Sequence, residues 1–213
     1  MADITSSPTL LKPLQTYAGS LSEEFVQVPE VRKKVLGQLA SVVKQKLQTN
    51  EQVKLMFICT HNSRRSHISQ IWAQTAAFYY NITGIETYSG GTEATAFNPK
   101  AVKAMQKAGF AIEKTGDEEN PIYLVTFAAK VQPMWAFSKI YDAEGNPTRD
   151  FVAIMTCSHA DENCPFIPGT ILRIPVNYDD PKDFDGTPLE EAKYNERTRQ
   201  IAREMFYLFS QVD

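Results

Sequence analysis

Cysteine is scarce in this chain: Cys59, Cys157 and Cys164 are all there is in 213 residues. An odd, small number excludes a disulfide scaffold. No CxxC pair or Cys/His spacing of a zinc site occurs. Histidine is as scarce, and His61, His67 and His159 form no helical or facial ligand pair, so no metal and no cofactor are expected. Long apolar runs are missing; none approaches the roughly 20 residues of a membrane span. The N-terminus lacks the charged-then-apolar pattern of a signal peptide, so a cytoplasmic protein with no membrane partner is expected. Neither sign of charge dominates. Lys and Arg number 22 against 25 Asp and Glu, a net charge of −3, which argues against a nucleic-acid binder. What is present is ordinary for a globular protein, 43% hydrophobic and 22% charged, and long enough for one domain with a sizeable core.

Cys59 is the most informative residue. It ends the apolar run Val53-Lys54-Leu55-Met56-Phe57-Ile58 and opens the stretch Cys59-Thr60-His61-Asn62-Ser63-Arg64-Arg65-Ser66, which runs into an amphipathic helical pattern. A thiol at the top of a buried strand, then a short loop, an arginine and a helix start, makes an anion site containing a nucleophile. Loop N–H groups and a helix N-terminus attract a tetrahedral oxyanion. The same positive field favours the thiolate of Cys59, and the planar fork of Arg65 suits two oxygens of the anion. The bland alternative, an inert buried thiol beside a solvated turn, fits poorly with two adjacent arginines.

Periodicity organises the rest. Residues 1–20, rich in Ser, Thr and Pro, read as loosely ordered. From Pro29-Glu30 a helix is expected, with Val31, Val35, Leu36, Leu39, Val42, Val43 and Leu47 at three- and four-residue spacing. Strands are expected at Val53–Ile58, Ile85–Ser89, Pro121–Phe127, Met134–Tyr141, Phe151–Thr156 and Ile171–Val176. Helices are expected at 66–80, 98–108 and 188–211; Asn98-Pro99 is a cap and first-turn pair. The alternation implies an α/β fold, three-layered, with a central, mainly parallel, four-stranded sheet flanked by helices. Residues 1–52 form an N-terminal helical extension, which packs on the core or makes a dimer contact. Residues 53–213 form the main domain, with a β-hairpin-like insert near 121–150. Ligands in such folds bind beyond the carboxyl ends of strands. Cys59 follows its strand at that edge, and Cys157 follows Phe151–Thr156 in the same way.

At the anion loop the sequence resembles the low-molecular-weight tyrosine phosphatase superfamily, and within it the thioredoxin-coupled arsenate reductases. The resemblance rests on Cys59 to Ser66, on Tyr88-Ser89-Gly90-Gly91-Thr92-Glu93 with Asn98-Pro99-Lys100-Ala101-Val102, on Met155 to Pro165, on Asp179-Asp180-Pro181 and on the terminal helix. It implies a low-molecular-weight phosphatase-like fold and a site made of Cys59, Arg65, Cys157, Cys164 and Asp180, with Thr60 to Ser66 as the oxyanion cradle. By this resemblance Cys59 attacks arsenate, Cys157 attacks Cys59, Cys164 attacks Cys157, and thioredoxin restores the thiols. Asp180 is the general acid. Asn62 holds the loop backbone in a left-handed conformation. Ser66 either bonds the Cys59 sulfur or caps the helix.

Departures from the family pattern matter. His61 replaces a common glycine, as an outward-facing side chain or a cation at the mouth. Arg64 is an added charge that either steers anions or is merely solvated. Gln70 stands where members that bind potassium near the position of Ser89 have Glu, so potassium is not expected. Three functions compete: arsenate reduction, a cysteine-dependent phosphatase working through a phosphocysteine, and an oxyanion or redox sensor. A monomer or weak dimer is expected.

Overall fold

The computed structural model describes residues 9–163 and 166–212. The apolar run ending in Cys59 is strand β1 (Val53–Cys59). It pairs in parallel with β2 (Ile85–Gly91) on one side and with β6 (Phe151–Met155) on the other. Strand β7 (Thr170–Pro175) completes a parallel sheet of order β2-β1-β6-β7. The expected α/β architecture with four central parallel strands is therefore present.

Period-two alternation divides the sheet between two cores. Val53, Leu55 and Phe57 of β1 join Val152 and Ile154 of β6 in the larger cluster, together with the helices. Those helices are α2 (Glu30–Gln48), α3 (Arg65–Tyr79), α4 (Pro99–Lys107) and α6 (Glu190–Ser210). Met56, Ile58 and Cys59 join Phe151, Ala153, Met155 and Cys157 in a second cluster. The short helix α5 (Ser158–Asn163) contributes Ala160 to it, and Tyr88 and Tyr141 pack against it. Both faces of β6 are buried, which is why it reads as an unbroken apolar run.

Some expectations need correction. Residues 1–20 are not loose throughout: Lys12–Gly19 form helix α1, with Pro13 in its first turn and Leu14 and Ala18 buried. Val31 faces outward, 76% exposed, while Leu36, Leu39 and Val43 of the same helix enter the core. The insert is not a simple hairpin. Strands β3 (Ala111–Thr115), β4 (Ile122–Thr126) and β5 (Met134–Ala136) form a separate antiparallel sheet of order β3-β4-β5. The expected strand Met134–Tyr141 stops at Ala136. Beyond it, Ile140 makes an isolated parallel bridge to Gly91, so the insert is tied to the end of β2 beside the anion loop.

Candidate active site

Strand β1 delivers Cys59 to the carboxyl edge of the sheet, 3% exposed. The chain then turns through Thr60–Arg64 into α3. Asn62 makes this turn possible by adopting φ 44°, a conformation its short polar side chain tolerates. Its side chain locks the loop from both sides: Asn62 Nδ2 donates to Ser66 Oγ at 2.8 Å, and Asn62 Oδ1 accepts Lys139 N–H at 2.9 Å. Ser66 does not cap α3, which has no side-chain cap. Its hydroxyl lies 3.1 Å from Cys59 Sγ instead.

The loop's carbonyls are tied down. Cys59 O and Thr60 O accept from Thr92 N and Glu93 N, and Ser63 O from Asn98 N. His61 O accepts from Ser138 Oγ and Thr95 Oγ1. Its amides are free: from His61 to Ser66, no backbone N–H has an acceptor among the described residues. A run of fixed N–H donors around a thiol, at the start of a helix, is suited to a tetrahedral oxyanion.

Arg64 and Arg65 point at Asp180. Arg64 Nε donates to Oδ1 and Arg65 Nη2 to Oδ2, both at 2.8 Å. Arg65 Nη1 also donates to Tyr178 O at 3.0 Å. Burial pushes the Asp180 carboxyl up, but Arg65 and Arg64 outweigh it and hold it below the ordinary carboxylate range. Asp180 also caps the 3₁₀ helix Pro181–Phe184 by accepting from Lys182 N. His61 lines the mouth and lies 3.6 Å from the Glu93 carboxylate. Around these groups is a cleft of about 350 Å³ that Thr60, Arg65, Glu93, His159 and Asp180 help to line. A larger depression of about 490 Å³ lies between Leu47, Asn50 and Gly84, at the opposite ends of β1 and β2, and neither a cysteine nor a histidine lines it.

Cys157 lies two residues past the end of β6, the strand next to β1, and is 1% exposed. Thr60 Oγ1 lies 3.5 Å from Cys157 Sγ and 3.3 Å from His159 Nδ1. Ala160 N–H donates to the same sulfur at 3.4 Å. Cys59, Cys157, Arg65, Asp180 and the loop 60–66 are thus gathered at one edge of the sheet. Cys164 lies outside the described residues. Among the described residues no group of three His, Cys, Asp or Glu is placed to hold a metal ion, and no helix is long and apolar enough to cross a membrane.

Sequence reasoning missed the supports. Ser138 and Lys139 reach the loop from the insert, and Asn120 fixes Ser138 through both its backbone N–H and its C=O. No spacing signals such a contact. His67 is buried and stacked on Phe97 at 4.3 Å. Burial, then the charge of Lys139, lowers its pKa to about 3 against the pull of Phe137 O. Burial lowers Lys139 to about 8. His159 had one available signal, its place two residues after Cys157.

The geometry defines a class: a thiol-bearing anion loop on a parallel α/β sheet, with a second thiol on the adjacent strand. No family model matches the chain. An arsenate reductase of Bacillus licheniformis is 30% identical over 159 residues, covering 74% of this chain and 94% of that one. Arsenate reductases of Bacillus subtilis, 30% identical, and of Halalkalibacterium halodurans, 31% identical, each match over 68% of this chain and 86% of their own. A solved arsenate reductase in the phosphate binding state aligns with TM-score 0.49 and 21% identity, over 76% of this chain and 100% of that one. A low-molecular-weight phosphotyrosine phosphatase from Vibrio cholerae aligns with TM-score 0.49 and 15% identity, over 74% and 95%. The chain belongs to the arsenate reductase family.

Proposed function

We propose that this protein reduces arsenate to arsenite by a three-thiol relay. The Cys59 thiolate attacks arsenic, an As–S bond forms, and an arsenic oxygen leaves as water after taking a proton from Asp180. Arg65 and the open loop amides balance the charge that develops on the remaining oxygens. Cys157 then attacks the Cys59 sulfur. The S–S bond forms, the S–As bond breaks with its electron pair going to arsenic, and arsenite departs. Cys164 attacks Cys157 and frees Cys59, leaving a Cys157–Cys164 disulfide that a thioredoxin dithiol reduces in the cytosol. One observation supports this reading above others: Cys59 and Cys157 sit at the same ends of adjacent parallel strands, with Thr60 touching Cys157.

Asp180 must change partners for this. In the structure it occupies both arginines, so the arriving oxyanion has to take Arg65 from it. That release frees the carboxyl to pick up the proton it then delivers.

A second reading shares the first half. A phosphate ester would be attacked by Cys59, with Asp180 protonating the leaving group and water resolving the phosphocysteine. It is favoured by the completeness of loop, arginine and acid without Cys157. The test runs both activities on one preparation: arsenate-dependent NADPH oxidation with thioredoxin and thioredoxin reductase, and p-nitrophenyl phosphate hydrolysis. Arsenate turnover that vanishes in Cys157→Ser while ester hydrolysis persists supports the relay. Ester hydrolysis with no arsenate turnover makes the protein a phosphatase.

A further inference from the structure

Cys157 has to lose a proton before it can attack, yet at 1% exposure it has almost no contact with water. Among the described residues the Thr60 hydroxyl has two partners, Cys157 Sγ at 3.5 Å and His159 Nδ1 at 3.3 Å. A hydroxyl has one proton to give and lone pairs to accept another, so it can link a thiol to an imidazole. His159 is exposed where Cys157 and Thr60 are buried. The three groups form a line from the buried sulfur to solvent.

We propose that His159 takes up, through Thr60, the proton that Cys157 sheds when it becomes a nucleophile; this rests on the arsenate reading above. The thiol proton passes to Thr60 Oγ1 as the Thr60 proton passes to His159 Nδ1. The products are a thiolate that accepts from the Thr60 hydroxyl and an imidazolium that donates to it. Ala160 N–H already donates to the sulfur and favours the anion. The thiolate then attacks Cys59, and the imidazolium returns its proton to solvent or to an oxygen of the departing arsenite. No outside oxidant is needed, since the two electrons go from the thiol pair to arsenic.

The other groups around the cleft do not compete for this role. Asp180 is committed to Arg64 and Arg65, and Glu93 faces His61. Lys182 also lines the cleft, and Asp161 on the helix of His159 pairs with Arg173. None of these side chains bonds the Thr60 hydroxyl.

The experiment is a rapid-quench single turnover with arsenate in a Cys164→Ser background, so that oxidation stops at Cys59–Cys157, with disulfide formation followed by peptide mass. His159→Ala is expected to slow disulfide formation by about 10²-fold, and added imidazole to restore much of the rate. Thr60→Val is expected to slow it without imidazole rescue, because the link itself is gone, and Thr60→Ser to recover what Thr60→Val loses. Disulfide formation at the parental rate in His159→Ala overturns the proposal, as does a slow variant that ignores imidazole, since a structural role would not respond to it. If the parent forms no disulfide with arsenate, the arsenate reading itself fails and the relay falls with it.

Discussion

Asp180 Oδ2 accepts a hydrogen bond from Arg65 Nη2 at 2.8 Å, so the acid expected to serve the oxyanion holds the arginine expected to bind it. Arg64 adds a second bond to the other carboxylate oxygen. Asp180→Asn removes the competing charge and is expected to tighten phosphate binding several-fold, measured by titration calorimetry. The same variant has no proton to give, and p-nitrophenyl phosphate turnover is expected to fall about 10²-fold. Because the folded-state pKa of Asp180 is depressed, its contribution to stability is present above the unfolded carboxyl pKa and is lost as pH falls through the folded value.

His67 carries the opposite kind of pH dependence. Its pKa falls to about 3 in the buried stack on Phe97, against about 6.5 when unfolded. Between those values the unfolded chain binds a proton that the folded chain refuses, so stability drops as pH falls from about 6.5 towards 3. This group alone is expected to cost about 2 kcal/mol between pH 7 and pH 5. Urea unfolding at the two pH values checks it, with His67→Phe expected to remove that part of the slope.

Gly91 has no room for a side chain. A Cβ there would lie 2.2 Å from Glu93 O, 2.6 Å from Thr60 O and 2.7 Å from Asn62 N, all backbone atoms. Gly91→Ala can be fitted only by displacing the anion loop. We expect a loss of about 1–3 kcal/mol of stability and a marked loss of phosphate affinity. Unaltered phosphate binding in this variant would show that the loop is less rigidly held than its hydrogen bonds imply.

Arg32 ties helix α2 to α6 and to the segment just before Asp180. Its Nε lies 3.3 Å from Glu204 Oε2, a side chain 1% exposed, and its guanidinium covers the Tyr178 ring while donating to Asn177 O. Arg32→Ala strands the Glu204 charge and is expected to destabilise the fold by about 3 kcal/mol. Glu204→Gln in the same chain is expected to recover part of that loss in chemical denaturation.

The legible parts of this protein were those whose pattern is local. The run ending in Cys59, the alternation of strands with helices and the Asn98-Pro99 cap each carry their own signal; Asn98 Oδ1 accepts from Lys100 N at 2.9 Å. Helix α1 was hidden by the Ser/Thr/Pro composition around it, although Leu10, Leu14, Ala18 and Leu21 are all buried. Strand β3 was hidden because Ile112 is its one buried residue, too little for a period-two signal. The hold of Ser138 and Lys139 on the loop is long-range in sequence, 77 residues in each case, and no local pattern announces it. The Asp180–Arg65 pairing was missed for another reason: Arg65 was assigned to the oxyanion and Asp180 to proton transfer, and the structure has them pair with each other.

The most direct measurement is disulfide mapping by mass spectrometry after arsenate is added to the fully reduced protein with no other reductant or oxidant. A Cys157–Cys164 disulfide is expected in the wild-type chain and a Cys59–Cys157 disulfide in Cys164→Ser, with one arsenite released per disulfide. Three free thiols after incubation with arsenate, in a protein that still binds phosphate and hydrolyses p-nitrophenyl phosphate, would contradict it.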